Sequence, residues 1–112
     1  MAVVNGVVDL DALARLGQAL AEDSRRRLLV ALMDGPAYPS DLADGLGLTR
    51  ANVSNHLACL RGCGLVAAEP EGRRVRYELA DARLGRALRD LLELVLAVDP
   101  GACSDSELDG CC

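Results

Sequence analysis

The stretch from Thr49 to Gly64 constrains the fold more than any other part of the chain. Threonine is a good helix N-cap and glycine a good C-terminal stop, so the spacing predicts one helix of about three and a half turns. At roughly 100° per residue, Val53, Leu57 and Leu60 share a narrow apolar face that fits a core. The opposite face carries small or amide side chains, which would let the helix backbone approach another large surface closely.

Apolar spacing and capping residues predict the elements around that helix. The predicted order is a helix capped by Asp9 or Asp11, a helix over 25–33 capped by Asp23-Ser24, a short helix over 41–46, the helix after Thr49, a hairpin with its turn at 69–72, and a long helix from Asp81 to about Val98. Two short helices joined by Gly47-Leu48-Thr49 have the sequence form of a helix-turn-helix. The alternation that places Val75, Tyr77 and Leu79 on one side indicates a β-hairpin with a charged tip. The predicted fold is mainly α with one β-hairpin, a winged helix-turn-helix.

Length and composition fit one domain with an aliphatic core. The 112 residues are 51% hydrophobic but include no Phe or Trp, so Leu, Val and Ala must fill the core, which favours helices. We divide the chain into an N-terminal arm over 1–8, a winged helix-turn-helix DNA-binding and dimerisation domain over 9–99, and a flexible cysteine-containing tail over 100–112. The apolar stripe of the last helix is wider than one small domain needs. With the first helix it predicts a homodimer interface, and ordinary core packing is the alternative.

A net charge of −5 taken alone argues against a nucleic-acid partner, but the distribution of charge favours one. The range between Thr49 and Tyr77 contains five arginines (50, 61, 73, 74, 76) and only two acidic residues, Glu69 and Glu71. A local basic surface on an acidic protein is compatible with binding double-stranded DNA. Polar side chains on the first half of a recognition helix can reach base edges, and arginines at a wing tip can lie along the phosphates. The candidate DNA contacts are Thr49, Arg50, Asn52, Ser54, Asn55, His56, Arg73 and Arg74.

The five cysteines point to a thiol site in a reducing compartment. No segment has the form of a signal peptide or reaches the length of a membrane span, so we expect a cytoplasmic protein with no membrane partner. Cysteines there are more often metal ligands or redox thiols than structural disulfides. Cys59 and Cys63 are four residues apart, so their side chains point the same way from adjacent helical turns. One further thiol from the tail, which contributes Cys103, Cys111 and Cys112, would complete an all-sulfur site suited to soft ions.

Several short motifs resemble the ArsR/SmtB family of metal-sensing repressors. They are Leu13-Ala14-Arg15-Leu16-Gly17, Ser40-Asp41-Leu42-Ala43, Leu46-Gly47-Leu48-Thr49, Asn52-Val53-Ser54-Asn55-His56-Leu57, Cys59-Leu60-Arg61-Gly62-Cys63-Gly64-Leu65-Val66 and Gly72-Arg73-Arg74-Val75-Arg76-Tyr77. The match covers about residues 10–100. Because the cysteine pair falls on the recognition helix, the chain resembles the CmtR-like cadmium/lead sensors in particular. The more common family thiol motif lies one helix earlier, where this chain reads Tyr38-Pro39-Ser40-Asp41-Leu42, and the family's His/Asp site on the last helix is also missing.

This resemblance implies a homodimer that holds Cd(II) or Pb(II) through Cys59 and Cys63 of one subunit and Cys103 of the other. Zn(II) and As(III) are less expected ligands. Cys111 and Cys112 depart from the pattern, and they could form a second site, capture metal for transfer, or do nothing. The implied function is a metal-responsive transcriptional repressor that binds a pseudo-palindromic operator as an apo dimer and is released when the metal binds.

Two other functions are compatible with the sequence. One is a winged-helix repressor that responds to thiol oxidation, with Cys59 and Cys63 forming a disulfide. The other, from a different class, is a cytosolic protein that buffers or delivers soft metals through Cys111-Cys112, although this leaves Asn55 and Arg73 unexplained. An enzyme is not expected, since the sequence has no nucleophile–base pair, carboxylate pair or phosphate loop.

Overall fold

The structure, a computed structural model, describes residues 9–99. Within that range the elements are α1 (Leu10–Ala21), α2 (Asp23–Leu32), α3 (Pro39–Leu46), α4 (Arg50–Gly62), β1 (Val66–Glu71), β2 (Arg74–Leu79) and α5 (Ala82–Leu92). The predicted order of helices and hairpin is therefore present, with α3 and α4 as the helix-turn-helix and the hairpin as the wing. None of the helices in 9–99 is long and apolar enough to cross a membrane. The predicted arm over 1–8 and tail over 100–112 lie outside the described residues.

Helix α4 forms the centre of the core. Its predicted apolar face is fully enclosed, since Val53, Leu57 and Leu60 are each 0% exposed. Around them pack buried side chains of the other helices and of β1, namely Ala19, Leu28, Leu29, Leu32, Leu42, Ala43, Val66 and Leu88. Burying one such leucine or valine stabilises a fold by about 1.5–3 kcal/mol. The packing therefore fixes the rotation of α4 about its axis, and with it the direction of every other α4 side chain.

Both ends of α4 follow the prediction. The Thr49 hydroxyl accepts a hydrogen bond from the Asn52 N–H at 3.0 Å, as an N-cap does. At the other end Gly64 takes a φ of +80°, in the left-handed region that glycine enters without steric cost. The Leu65 N–H then donates to the Leu60 carbonyl at 3.0 Å, the pattern of a Schellman stop.

Helix α2 starts earlier than predicted. Its N-cap is Glu22, which has an extended backbone and whose carboxylate accepts the Arg25 N–H at 2.8 Å, so the predicted Asp23-Ser24 cap is wrong. Asp23 lies inside the first turn and forms an ion pair with Arg26 at 3.3 Å. The hydrogen bond from the Arg25 backbone holds the pKa of Glu22 below its usual value.

The turn of the wing is tighter than predicted. The predicted turn over 69–72 belongs mostly to β1, and only Gly72-Arg73 separates Glu71 from its partner Arg74. A two-residue connection with glycine at positive φ suits the twist of a hairpin, and Gly72 has a φ of +63°. Val75 does not join Tyr77 in the partly buried layer, because it pairs with Pro70 near the tip, beyond the reach of the core.

Helix α5 is shorter than predicted. Asp81 caps it as expected, and the Arg83 side chain that bonds its carboxylate lowers the pKa of Asp81 to about 2. The helix ends at Leu92, however, and not near Val98. The residues that follow are exposed, with Val95 at 96%. A helix draws most of its stability from a packing surface, and this segment has none among residues 9–99.

Candidate metal centre and nucleic-acid interface

Helix α4 presents two different surfaces outside the core. The first, which we call the outer face, consists of the exposed residues Thr49, Arg50, Ser54 and Asn55. The second carries His56, Cys59 and Cys63, of which Cys59 is exposed and the other two are half-buried. Of the predicted DNA contacts, Thr49, Arg50, Ser54 and Asn55 thus lie on the outer face, whereas His56 shares the second surface with the predicted metal ligands.

The two cysteines of α4 open into one cleft. This thiol cleft has a volume of about 320 Å³ and is lined by Arg15, Gln18, Ala19, Ala21, Arg25, Cys59 and Cys63. Its walls are thus the C-terminal half of α1, the first turn of α2, and the second half of α4. Both thiols therefore lie outside the buried apolar face of α4, as the sequence predicts.

Arg25 connects the cleft to the end of α1. Its guanidinium donates to the Gln18 carbonyl at 2.9 Å and to the Ala19 carbonyl at 3.4 Å. These carbonyls belong to the last turns of α1, where unpaired acceptors attract a cation. The same guanidinium lies 3.7 Å from the Cys59 sulfur. Sequence reasoning missed this residue, since nothing local marks a contact between positions 34 apart.

The donor chemistry of the cleft fits a thiophilic metal ion. Among its described lining residues, the two thiols are the only side chains of the kind that bind soft metals, and no carboxylate or imidazole is present. Across residues 9–99 no three His, Cys, Asp or Glu side chains come together, so Cys59 and Cys63 form an incomplete set there. The predicted third ligand Cys103 lies outside the described residues, as do Cys111 and Cys112. Their roles stay predictions.

His56 is less available to DNA than its position in the sequence indicates. Its side chain is 20% exposed, and Nε2 lies 3.8 Å from the Glu22 carboxylate at the junction of α1 and α2. Asn52 is likewise half-buried. Both remain predicted DNA contacts, but Ser54 and Asn55 on the outer face are more exposed to solvent.

The two wing-tip arginines have different surroundings. Arg73 is exposed in the turn, where a phosphate could approach it. The Arg74 guanidinium instead stacks on the ring of Tyr38, 3.5 Å from its centroid, and lies 3.6 Å from the Asp41 carboxylate. Arg74 therefore holds the wing against the start of α3, and its role as a DNA contact stays a prediction.

The contact between wing and α3 extends beyond Arg74. The Tyr38 hydroxyl donates to the Glu71 carboxylate, which raises the pKa of Tyr38, and Arg76 forms an ion pair with Glu71 at 3.0 Å. Ala37 and Tyr77 exchange two backbone hydrogen bonds of 2.9 and 2.8 Å. The sequence contained one signal for this joint, since Tyr38 and Tyr77 are the only aromatic residues of the chain.

Comparison with known proteins agrees with this geometry. The family model described as "Bacterial regulatory protein, arsR family" matches residues 22–68. The HTH-type transcriptional regulator CmtR of Mycobacterium bovis is 68% identical to this chain over 88 residues, which is 79% of this chain and 75% of that relative. The chain belongs to the arsR family of bacterial regulatory proteins. As an arsR-family protein it is a DNA-binding transcriptional regulator, which confirms the expectation that it is not an enzyme.

Solved structures place the arsR-family chain in the winged helix-turn-helix fold. One is the NMR structure of the cadmium metal-sensor CMTR from Mycobacterium tuberculosis, with 67% identity, a TM-score of 0.64, and coverage of 77% of this chain and 90% of that one. Another is the homodimeric winged helix-turn-helix DNA-binding domain of a possible ArsR-family regulator from Mycobacterium bovis. It has 32% identity and a TM-score of 0.70, over 78% of this chain and 85% of that one. The predicted fold and family are both confirmed.

Proposed function

We propose that this arsR-family protein is a repressor that binds operator DNA as an apo homodimer and releases it when Cd(II) or Pb(II) binds its cysteine thiolates. The observation that carries the proposal is the sharing of α4 between an exposed polar face and a cleft with two thiols. The similarity to a cadmium metal-sensor supports the choice of ion.

Cys59 and Cys63 are the proposed ligands from α4, and Cys103 from the tail over 100–112 of the partner subunit is the proposed third. The bound ion supplies a cross-link between thiolates, and each cysteine gives up its proton to bind it. Because the thiols and the outer face belong to one continuous helix, a force on the second half of α4 from the tail is passed to the first half, which would shift it relative to DNA. A coupling free energy of about 1–3 kcal/mol, or about 5–150-fold in operator affinity, is enough for a switch.

The outer face is proposed to enter the major groove, with Ser54 and Asn55 toward base edges and Arg50 toward phosphate. Asparagine pairs well with adenine there. Arg73 at the tip of the wing would then lie along a flanking phosphate backbone. The tight turn at Gly72 and the joint between wing and α3 support this arrangement, since they connect the wing to the helix-turn-helix.

Dimerisation through α1 and α5 is proposed from the apolar surface that the protomer leaves exposed. On α1, Leu10 and Leu13 are 68% and 61% exposed, and Leu91 and Leu92 at the end of α5 are also exposed. Leu94, Val95, Leu96 and Val98 after the helix are exposed as well. A monomeric protein rarely exposes so many large apolar side chains together, and a standard stable interface buries about 800 Å² per partner. A twofold dimer would match a pseudo-palindromic operator.

The test is a Cd(II) titration that follows two signals, the sulfur-to-metal charge-transfer absorption and the affinity for operator DNA. Single Cys-to-Ser variants at 59, 63 and 103 are expected to lose both the absorption and the release of DNA. Cys111→Ser is the matched control, since it removes a tail thiol of the same kind, and it is expected to keep both.

Three outcomes would contradict the proposal. If saturating Cd(II) and Pb(II) leave operator affinity unchanged, metal is not the inducer. If oxidant alone releases DNA and Cys103→Ser still responds, the protein is a redox regulator. If metal is bound and transferred without any sequence-specific DNA binding, it is a buffering or delivery protein.

A further inference from the structure

We infer that the thiol cleft takes its metal from anionic thiolate complexes of small molecules, which Arg15 and Arg25 attract electrostatically. The inference rests on the proposed function and adds the chemical form in which the metal ion arrives. A soft ion in a thiol-rich medium is held by sulfur ligands. The donor is therefore a divalent ion bound to low-molecular-weight thiols that also carry carboxylates.

The thiol cleft is lined by two guanidinium groups and, among the described residues, by no carboxylate. Arg15 on α1 is exposed and Arg25 on α2 is half-buried. Neither forms a salt bridge with a carboxylate of residues 9–99. An arginine side chain is charged throughout the neutral range, whereas a cysteine that keeps its proton is neutral. The cleft thus places two positive charges around its two thiols before any metal is bound.

The guanidinium of Arg25 is fixed beside the thiol that an arriving complex has to reach. It donates to the carbonyls of Gln18 and Ala19 at 2.9 and 3.4 Å, and it lies 3.7 Å from the Cys59 sulfur. The carboxylate of Glu22 accepts the Arg25 backbone N–H at 2.8 Å and offsets the positive field in part, but it does not line the cleft. A complex that approaches Cys59 therefore meets a positive charge next to the sulfur.

Metal transfer into the cleft is an exchange of sulfur ligands. Cys59 is the more exposed thiol and reacts first, binding the ion while its proton passes to a departing small-molecule thiolate. Cys63 then repeats the exchange. Two metal–sulfur bonds break and two form, two small thiols leave with the two protons, and no oxidation state changes. Both exchanges use described cysteines, so the inference does not depend on residues outside 9–99.

Electrostatic attraction changes the rate at which a charged complex reaches the cleft. For a donor with two negative charges, the loss of one guanidinium charge about 8 Å away in a solvent-filled cleft lowers that rate about fivefold at low salt. A neutral donor is unaffected, and a donor with two positive charges gains by a similar factor. A purely structural role for the arginines, or an effect on the reactivity of the thiols, changes all three rates equally.

The experiment measures the second-order rate constant of Cd(II) transfer to the full chain by stopped-flow ultraviolet absorption. Three donors share a two-carbon frame, namely the complexes of Cd(II) with two molecules of 3-mercaptopropionate, 2-mercaptoethanol or thiocholine. Their net charges are two negative, zero and two positive, respectively. Each rate is expressed as the ratio of variant to unmodified protein, which cancels the different acidities of the three thiols.

Arg25→Gln is expected to slow transfer from the mercaptopropionate complex about fivefold, to leave the mercaptoethanol rate unchanged, and to speed transfer from the thiocholine complex. High salt is expected to remove these differences, because it screens the charges. Arg15→Gln is expected to give the same pattern. It is the safer variant for folding, since the Arg15 side chain makes no hydrogen bond or salt bridge within residues 9–99.

Arg26→Gln is the matched control. It removes the same charge from the same helix, and Arg26 also donates to an α1 carbonyl, that of Leu20 at 2.8 Å, but does not line the thiol cleft. All three rates are expected to stay unchanged in this variant. Arg25→Lys keeps the charge and is expected to retain most of the preference for the anionic donor.

The inference is overturned if Arg25→Gln and Arg15→Gln change all three rates by one common factor or change none of them. It is also overturned if Arg26→Gln reproduces their pattern. Failure of the proposed function is a separate result: metal transfer would follow the charge of the donor while operator affinity stayed the same with Cd(II) bound. Conversely, if only the inference fails, Cd(II) still releases operator DNA.

Discussion

Leu57 tests, at the level of a single residue, how firmly the core holds α4. It is 0% exposed and lies midway along the helix, between the two halves that the proposed function assigns to DNA and metal. Leu57→Ala is expected to lower the free energy of unfolding by about 2–5 kcal/mol, because it removes buried methyl groups and leaves a cavity. Urea denaturation followed by circular dichroism measures the change.

The control for that substitution is Val75→Ala on the wing, where the side chain is 38% exposed. A change within about 0.5 kcal/mol is expected there, as for most surface positions. Equal effects at Leu57 and Val75 would mean that the packing of α4 does not carry the stability of the domain.

Residues whose role is local could be predicted from the sequence, and residues whose role depends on a distant partner could not. Thr49 and Asp81 were identified as caps because a cap bonds its own helix two or three residues away. Arg25 and Tyr38 were missed, since they contact Cys59 and Glu71, 34 and 33 positions along the chain. The sequence supplies their charges and rings but not their neighbours.

At the scale of elements, the two arginines at the wing tip are expected to have different roles. Arg73 contacts phosphate, whereas Arg74 only positions the wing. Arg73→Ala is expected to reduce the slope of log affinity against log salt by about 1, because one phosphate contact is lost. Arg74→Ala is expected to weaken operator binding without changing that slope, since its guanidinium is engaged with Tyr38 and Asp41. Fluorescence anisotropy at several salt concentrations measures both.

Arg74→Lys serves as the control for charge, since it keeps the cation but loses the planar stacking on Tyr38. It is expected to resemble Arg74→Ala. If the slope instead falls for Arg74→Ala and recovers for Arg74→Lys, Arg74 is a DNA contact, as the sequence alone predicted.

The bounds of helices and strands could be predicted where the sequence pattern agrees with the packing in the structure. They were predicted poorly where the two differ. The apolar repeat of the last helix continues to Val98, but α5 ends at Leu92, and the part of the chain that the structure describes offers no further packing surface beyond that point. In the wing, Glu69-Pro70-Glu71 has turn-like composition yet lies in β1, because cross-strand pairing with β2 continues to Arg74. Local composition could reveal neither the end of the packing surface along α5 nor the pairing of β1 with β2.

For the whole molecule, the exposed end of α5 predicts the oligomeric state. Leu91 is 47% exposed and borders a groove of about 540 Å³ whose apolar walls come from α1, α2, α3 and α5. Leu91→Glu is expected to shift the protein from dimer to monomer, because burying an unpaired carboxylate in the interface is costly. Analytical ultracentrifugation measures the change, and operator affinity should fall with it.

Val75→Glu is the matched control, as it places the same charge at an exposed apolar position of the wing. It is expected to remain dimeric. A Leu91→Glu variant that stays dimeric with unchanged circular dichroism would place the interface elsewhere on the molecule.

The division of α4 into separate faces has a consequence for how such regulators diversify. Ser54 and Asn55 belong neither to the enclosed apolar face nor to the lining of the thiol cleft, and the cleft residues that α1 and α2 contribute lie outside the outer face. If the proposed function holds, the outer face determines which promoter is bound and the thiol cleft determines which ion is bound. The two properties can then change independently. After gene duplication, one copy can acquire recognition of a new promoter and still respond to the original ion. Alternatively, it can keep its promoter and respond to a new ion.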